Sequence, residues 1–160
     1  MKRRLNYEKI LPEGMIHVNA LDKYCSTSGL ERSLLELVKI RASQLNGCAY
    51  CLDMHSKDAR SNGETEQRIY GLSAWDEAPY YTDRERAALG LTEAVTLISE
   101  NRVEDELYDE AREVFSDEEL VKLMLAIGMI NVWNRLAITF QDPVGTYQPS
   151  HSAAQKPPTP

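Results

Sequence analysis

The amino-acid sequence predicts an all-α fold in a single domain. Three observations carry that expectation. Apolar residues recur at helical spacing in segment after segment. The breaks between segments fall on Gly, Asn-Gly or Pro, or on Ser/Thr-led capping sequences. No stretch alternates apolar and polar residues between hairpin turns. At 160 residues the chain suits one core of useful size.

The elements follow in order. Pro12-Glu13 opens a helix over 13–25, with Met15, Ile16, Val18, Ala20 and Leu21 as its apolar positions, and Ser26-Thr27-Ser28-Gly29 breaks it. Residues 30–45 carry Leu34, Leu35, Leu37, Val38, Ile40 and Leu45, a wide apolar face. Asn46-Gly47 stops that helix with residues tolerant of the left-handed conformation. The next helix runs from Cys48 to about Ser61 and ends at Asn62-Gly63; a shorter one spans 64–72. After a loop containing Pro79, Thr82-Asp83-Arg84-Glu85 forms a capping box that opens a helix to about Asn101. An acid-dense helix covers 104–114. A second capping box, Ser116-Asp117-Glu118-Glu119, opens the last helix, through about Thr139. That helix is apolar nearly all round, which places it centrally or at a subunit interface. Residues 142–160 hold five of the seven prolines and no periodic pattern, so the helical domain, 1–141, is followed by an extended or disordered tail, or one that wraps a neighbour.

Composition excludes several functions. Eighteen basic against 25 acidic residues leave a net charge of -7, the wrong sign for a nucleic-acid surface. No apolar run approaches the ~20 residues of a membrane span. The basic N-terminus has no apolar stretch behind it, which argues against a cleaved signal. Three cysteines, two of them close neighbours, make a poor disulfide framework and fit a cytoplasmic protein with a working thiol pair.

That pair lies in Cys48-Ala49-Tyr50-Cys51-Leu52-Asp53-Met54-His55. Helical spacing puts Cys48, Cys51 and His55 on one edge, with both thiols in or near the first turn. Unpaired backbone N–H groups and the positive end of the helix dipole favour a thiolate there. The pair could do thiol redox chemistry with His55 as the base, serve as two small buried hydrophobes, or bind zinc. For zinc, Cys48, Cys51 and His55 would need Glu36 or Cys25 as a fourth ligand, and no second Cys/His pair exists. Glu36 lies within the apolar face of the preceding helix; it is either a surface acid or an inward one, and an inward carboxylate needs a partner. The tight Asn46-Gly47 turn brings the two helices side by side, so Glu36 could reach His55 and orient it. His17 reads as structural, and His151 sits in the tail. Cys25 reads as a spectator. Asn131, Trp133, Asn134 and Arg135 are either satisfied polar contacts or the active-site side of the core.

The spacing Glu36, eleven residues, Cys48-x-x-Cys51, three residues, His55 resembles that of the AhpD-like alkylhydroperoxidases, within the carboxymuconolactone decarboxylase superfamily. The stretch 39–51, Leu72-Ser73-Ala74-Trp75, 82–89 and Ile130-Asn131-Val132-Trp133-Asn134-Arg135 are similar too, so the likeness covers about 10–140. The resemblance implies an all-helical homo-oligomer, a trimer or a hexamer, that reduces alkyl hydroperoxides with no metal, haem or other cofactor. Cys51 would be the peroxidatic thiol and Cys48 the resolving thiol and proton donor; His55 and Glu36 would form the relay. An external dithiol, of the lipoyl-protein type, would reduce the resulting disulfide. Well-characterised members carry a second histidine between the cysteines, where this chain has Tyr50. A phenol is a poor base at neutral pH but donates a hydrogen bond. Two other functions are compatible with the residues: a slow redox sensor, and a decarboxylase-type enzyme of the same superfamily, against which the cysteine pair argues.

Overall fold

Two capping boxes and one left-handed glycine set the key helix boundaries in the computed structural model, which describes residues 2–100 and 102–149. Eight α-helices occur among them: α1 (Tyr7–Ile10), α2 (Pro12–Ser26), α3 (Arg32–Asn46), α4 (Ala49–Ser61), α5 (Glu66–Gly71), α6 (Asp83–Thr96), α7 (Asp105–Val114) and α8 (Asp117–Phe140). A 3-10 turn, Leu72–Ala74, follows α5. No strand is present among the described residues. The all-α expectation holds.

The α3–α4 hairpin positions everything that follows. Leu34, Leu35, Leu37, Val38 and Ile40 bury one broad side of α3. Gly47 then takes φ 68°, ψ 33° and its N–H closes onto the last turn of α3, a conformation that costs glycine nothing. The chain turns straight into α4, and the two helices pack side by side as the sequence implied. α8 crosses behind them and against α2 and α6. Its Leu123, Ala126, Ile127 and Met129 close the main core with Leu34, Leu35, Val38 and Leu91.

The capping boxes fall where expected. Thr82 with Glu85 opens α6, and Ser116 with Glu119 opens α8; in each, side chain and backbone satisfy one another reciprocally. The expected end of α6 is wrong. It stops at Thr96, not near Asn101, which itself lies outside the described residues. Val95 and Thr96 are β-branched, and Ile98 is 61% exposed, so no packing rewards a further turn. The short α1 was not expected; a single turn capped by the Asn6 side chain has too few residues to show a period.

α8 also overturns the expectation that no segment is long and apolar enough for a membrane. Its 24 residues, with mean hydropathy 1.4 in an 18-residue window, reach that length and composition. Here it is the central helix of the bundle, with Asn131 and Asn134 tied to α3 and α6. Its outer side leaves Val121, Leu125, Val132 and Ile138 38–61% exposed.

Residues 142–149 form no helix and run back along α4, while the remainder of the Pro-rich segment, with His151, lies outside the described residues. The two ends of the fold meet. Arg4 N–H donates to the Phe140 carbonyl at 2.9 Å, and the Tyr7 hydroxyl donates to Asp142 at 2.6 Å. Arg3 Nε sits 2.7 Å from the same carboxylate, close enough for an ion pair but too misaligned for a hydrogen bond.

Candidate active site

Cys48 is the N-cap of α4 rather than its first helical residue. Its backbone is extended (φ -85°, ψ 95°), and its sulfur accepts the Cys51 N–H at 3.4 Å. Cys51 lies at the third helical position and His55 one turn further. Both thiols are 1% exposed, both are free, and His55 is buried. The helix start therefore brings Cys48 and Cys51 together as the spacing suggested.

Protonation within the pair is uneven. A hydrogen bond from the Cys51 thiol, with those from the Cys51 and Tyr50 N–H groups and the Asn134 side chain, overcomes burial and brings Cys48 down to about 7. The Cys51 thiol is pushed up by that same bond to Cys48, and by burial. The pair holds its first negative charge on Cys48 and keeps its proton on Cys51.

Glu36 faces inward and finds its partner. Its Oε2 lies 2.9 Å from His55 Nδ1, across the hairpin. Burial would raise the Glu36 carboxyl, but the hydrogen bond and charge of His55, with the Lys39 ammonium at 3.4 Å, outweigh it and hold it below the ordinary range. An ionised carboxylate only accepts, so Nδ1 carries the proton toward Glu36 and Nε2 of the neutral ring is left free. Glu36 also borders an outer groove with Arg32, Ser33, Asn62 and Glu64.

Cys51 and His55 open into a pocket of about 230 Å³. Tyr7, Tyr50, Met54, Met129, Ile130 and Trp133 form much of its wall. Tyr50, the residue between the cysteines, thus lines the same pocket as the Cys51 thiol, its phenol raised above the usual value by burial. Cys25 lines the same pocket, 2% exposed, so it is nearer the site than its place at a helix end suggested. Of the polar group on α8, Asn134 is fully buried, accepts from Asn46 at 2.8 Å, donates to Ser43 Oγ at 3.0 Å and favours the charged form of both thiols; Trp133 lines the pocket and donates to Asp22 at 3.1 Å. Arg135 instead turns back onto Asn131 at the surface. His17 is exposed.

Two residues near the site had no sequence signal. Asp58 brings a carboxylate oxygen into a set with Glu36 and His55 whose ligand atoms all lie within 4.8 Å of one another, a trio able to hold a metal ion. Tyr147 reaches Asp58 from the far end of the chain, with its hydroxyl 2.8 and 2.9 Å from the two oxygens.

A family model described as the carboxymuconolactone decarboxylase family matches residues 12–94, more than half of the chain and all four of Glu36, Cys48, Cys51 and His55. The chain belongs to that family. The uncharacterised protein YdfG of Bacillus subtilis is 51% identical over 138 residues, 86% of this chain and 94% of its own. A crystal structure of a protein of unknown function from Agrobacterium tumefaciens, a candidate antioxidant defence protein AhpD, superposes with a TM-score of 0.87 at 47% identity, covering 91% of this chain and all of its own. The AhpD-like resemblance is thereby met. The debrominase Bmp8 in complex with 2,3,4-tribromopyrrole shares the fold at a TM-score of 0.74 and 18% identity, over 86% of this chain and 74% of its own. The carboxymuconolactone decarboxylase fold thus carries more than one chemistry, and the site has to decide among them.

Proposed function

We propose that this protein is a thiol-dependent peroxidase that reduces organic hydroperoxides through Cys48 and Cys51. The observation that carries this reading is one pocket opening on Cys51 and His55 while Glu36 holds the far side of the imidazole at 2.9 Å. Cys51, not Cys48, meets the pocket. To become a nucleophile it must lose its proton, and two acceptors are at hand: the Cys48 thiolate bonded to it and the free Nε2 of His55. The Cys51 thiolate attacks the terminal oxygen of the hydroperoxide. The O–O bond breaks, the sulfur keeps that oxygen as a sulfenic acid, and the alkoxide leaves as an alcohol with the held proton. Cys48 then attacks the Cys51 sulfur; the disulfide forms and the oxygen departs as water. An external dithiol, such as a lipoyl group on a protein, returns two electrons and two protons and ends as its own disulfide.

Three free thiols suit a reducing cytoplasm. The exposed apolar side of α8 supports assembly of a homo-oligomer, a trimer or hexamer, through that helix.

The test is turnover of an organic hydroperoxide with a dithiol reductant. Cys51→Ser is expected to abolish it; retained turnover would refute the assignment. Cys48→Ser is expected to consume one equivalent and stop as a sulfenic acid. Failure to trap that acid with a dimedone-type reagent counts against the second step.

A further inference from the structure

Two acids line the pocket that opens on Cys51, and neither belongs to the Glu36–His55 pair. Asp22 stands on α2 one turn before Cys25, so the two share a helix face and reach the pocket together. Trp133 of α8 donates its indole N–H to the half-buried Asp22 carboxylate at 3.1 Å. That bond fixes the carboxylate without neutralising it, because an indole is an uncharged donor. Glu8, exposed on α1, brings a second acid to the wall. The lysine among the lining residues, Lys39, holds its ammonium 3.4 Å from Glu36.

We propose that Asp22 is a specificity residue of this pocket: it turns away guests that carry a carboxylate and leaves the site to uncharged ones with a compact apolar body. For substrate identity this rests on the peroxidase reading, where it selects uncharged organic hydroperoxides over acid-bearing ones such as those of fatty acids. Two like charges in one partly buried cavity repel more strongly, and are screened less, than at an open surface. A guest carboxylate meets Asp22 and Glu8, and beyond them the charge held on Cys48 beside Cys51. Lys39 is no free partner for it. Drawing that ammonium away would strip the buried Glu36 carboxylate of a neighbour that keeps it ionised. An uncharged guest meets none of these costs and buries its body against Met54, Met129 and Ile130. A cavity of about 230 Å³ suits a branched or single-ring body.

The experiment is a binding titration on the reduced full chain, followed through Trp133 fluorescence. Trp75, the other tryptophan, lies outside this pocket and gives a constant background. The probes are three unreactive alcohols with one body: cumyl alcohol, its para-carboxylate and its para-aminomethyl form. The uncharged alcohol is expected to bind, and the carboxylate about tenfold more weakly. Desolvation penalises both ions, so the ammonium form isolates the charge of the pocket. It is expected to bind more tightly than the carboxylate by a similar factor. In Asp22→Asn, which keeps an acceptor for Trp133, the gap between carboxylate and uncharged alcohol is expected to narrow several-fold.

Equal affinity for the two ions overturns the proposal. So does a gap unmoved in Asp22→Asn, or an uncharged alcohol that does not bind. If Asp22→Asn does not fold, Glu8→Gln takes its place. A gap that closes there assigns the selection to Glu8 and overturns the proposal, whereas a gap that mostly persists supports it. Turnover of cumene hydroperoxide and of its para-carboxylate is read alongside as kcat/KM. Should the binding order hold while the wild type turns over neither hydroperoxide, the assignment of Asp22 stands and the peroxidase reading fails.

Discussion

Cys48 does two jobs with one sulfur: it caps a helix and stores the negative charge of the thiol pair. The Cys48 thiol is lowered first by the hydrogen bond from the Cys51 thiol, and then by the Cys51 and Tyr50 N–H groups and the Asn134 side chain, which together outweigh burial. Thiolate absorbance at 240 nm should therefore appear as pH rises through about 7 and vanish below it. Cys51→Ala removes the largest stabilising bond, and the midpoint should climb toward the free-thiol value near ~8.5. A midpoint unmoved by that change would show that the helix start, not the partner thiol, sets the charge. Much at this scale was legible: spacing alone put Cys48, Cys51 and His55 on one edge. Glu36 was ambiguous, because a helix flanked by leucines on both sides must turn some of them outward, and only the hairpin packing shows which. Asp58 and Tyr147 carried no signal at all, since contacts between residues 89 apart leave no local pattern.

The elements were most legible where their causes are local. Both capping boxes could be read because Thr82 with Glu85 and Ser116 with Glu119 contain donor and acceptor within four residues. The end of α6 could not, because what stops it is the absence of a packing surface beyond Thr96. Ser116→Ala is expected to cost about 1 kcal/mol of stability, read as a lowered denaturant midpoint with unchanged slope. At the start of α4 the logic reverses. A serine hydroxyl is at least as good a cap as a thiol, so Cys48→Ser should keep the helix and the melting temperature while stopping turnover. Loss of both together would mean that the inactivity is a folding defect.

The whole molecule shows a seam. Residues 3–7 and 139–142 are stitched by the Arg4–Phe140 backbone bond, the Tyr7–Asp142 hydrogen bond and the packing of the Tyr7 ring on Phe140 at 5.5 Å. These contacts join residues about 135 positions apart, so they gain nothing until the helices between them stand. Such contacts are expected to form last and part first. Amide exchange at Arg4 should accordingly be faster than at the buried turns of α3, and exchange no faster than global unfolding would sink the idea. Tyr7 is also a wall of the pocket. Its departure would widen the cavity from the side where the two ends of the bundle join, admitting a bulky guest through breathing of that junction rather than through a dedicated door. A compound lodged against Cys51 would then be felt at both ends of the chain, as slower exchange at Arg4.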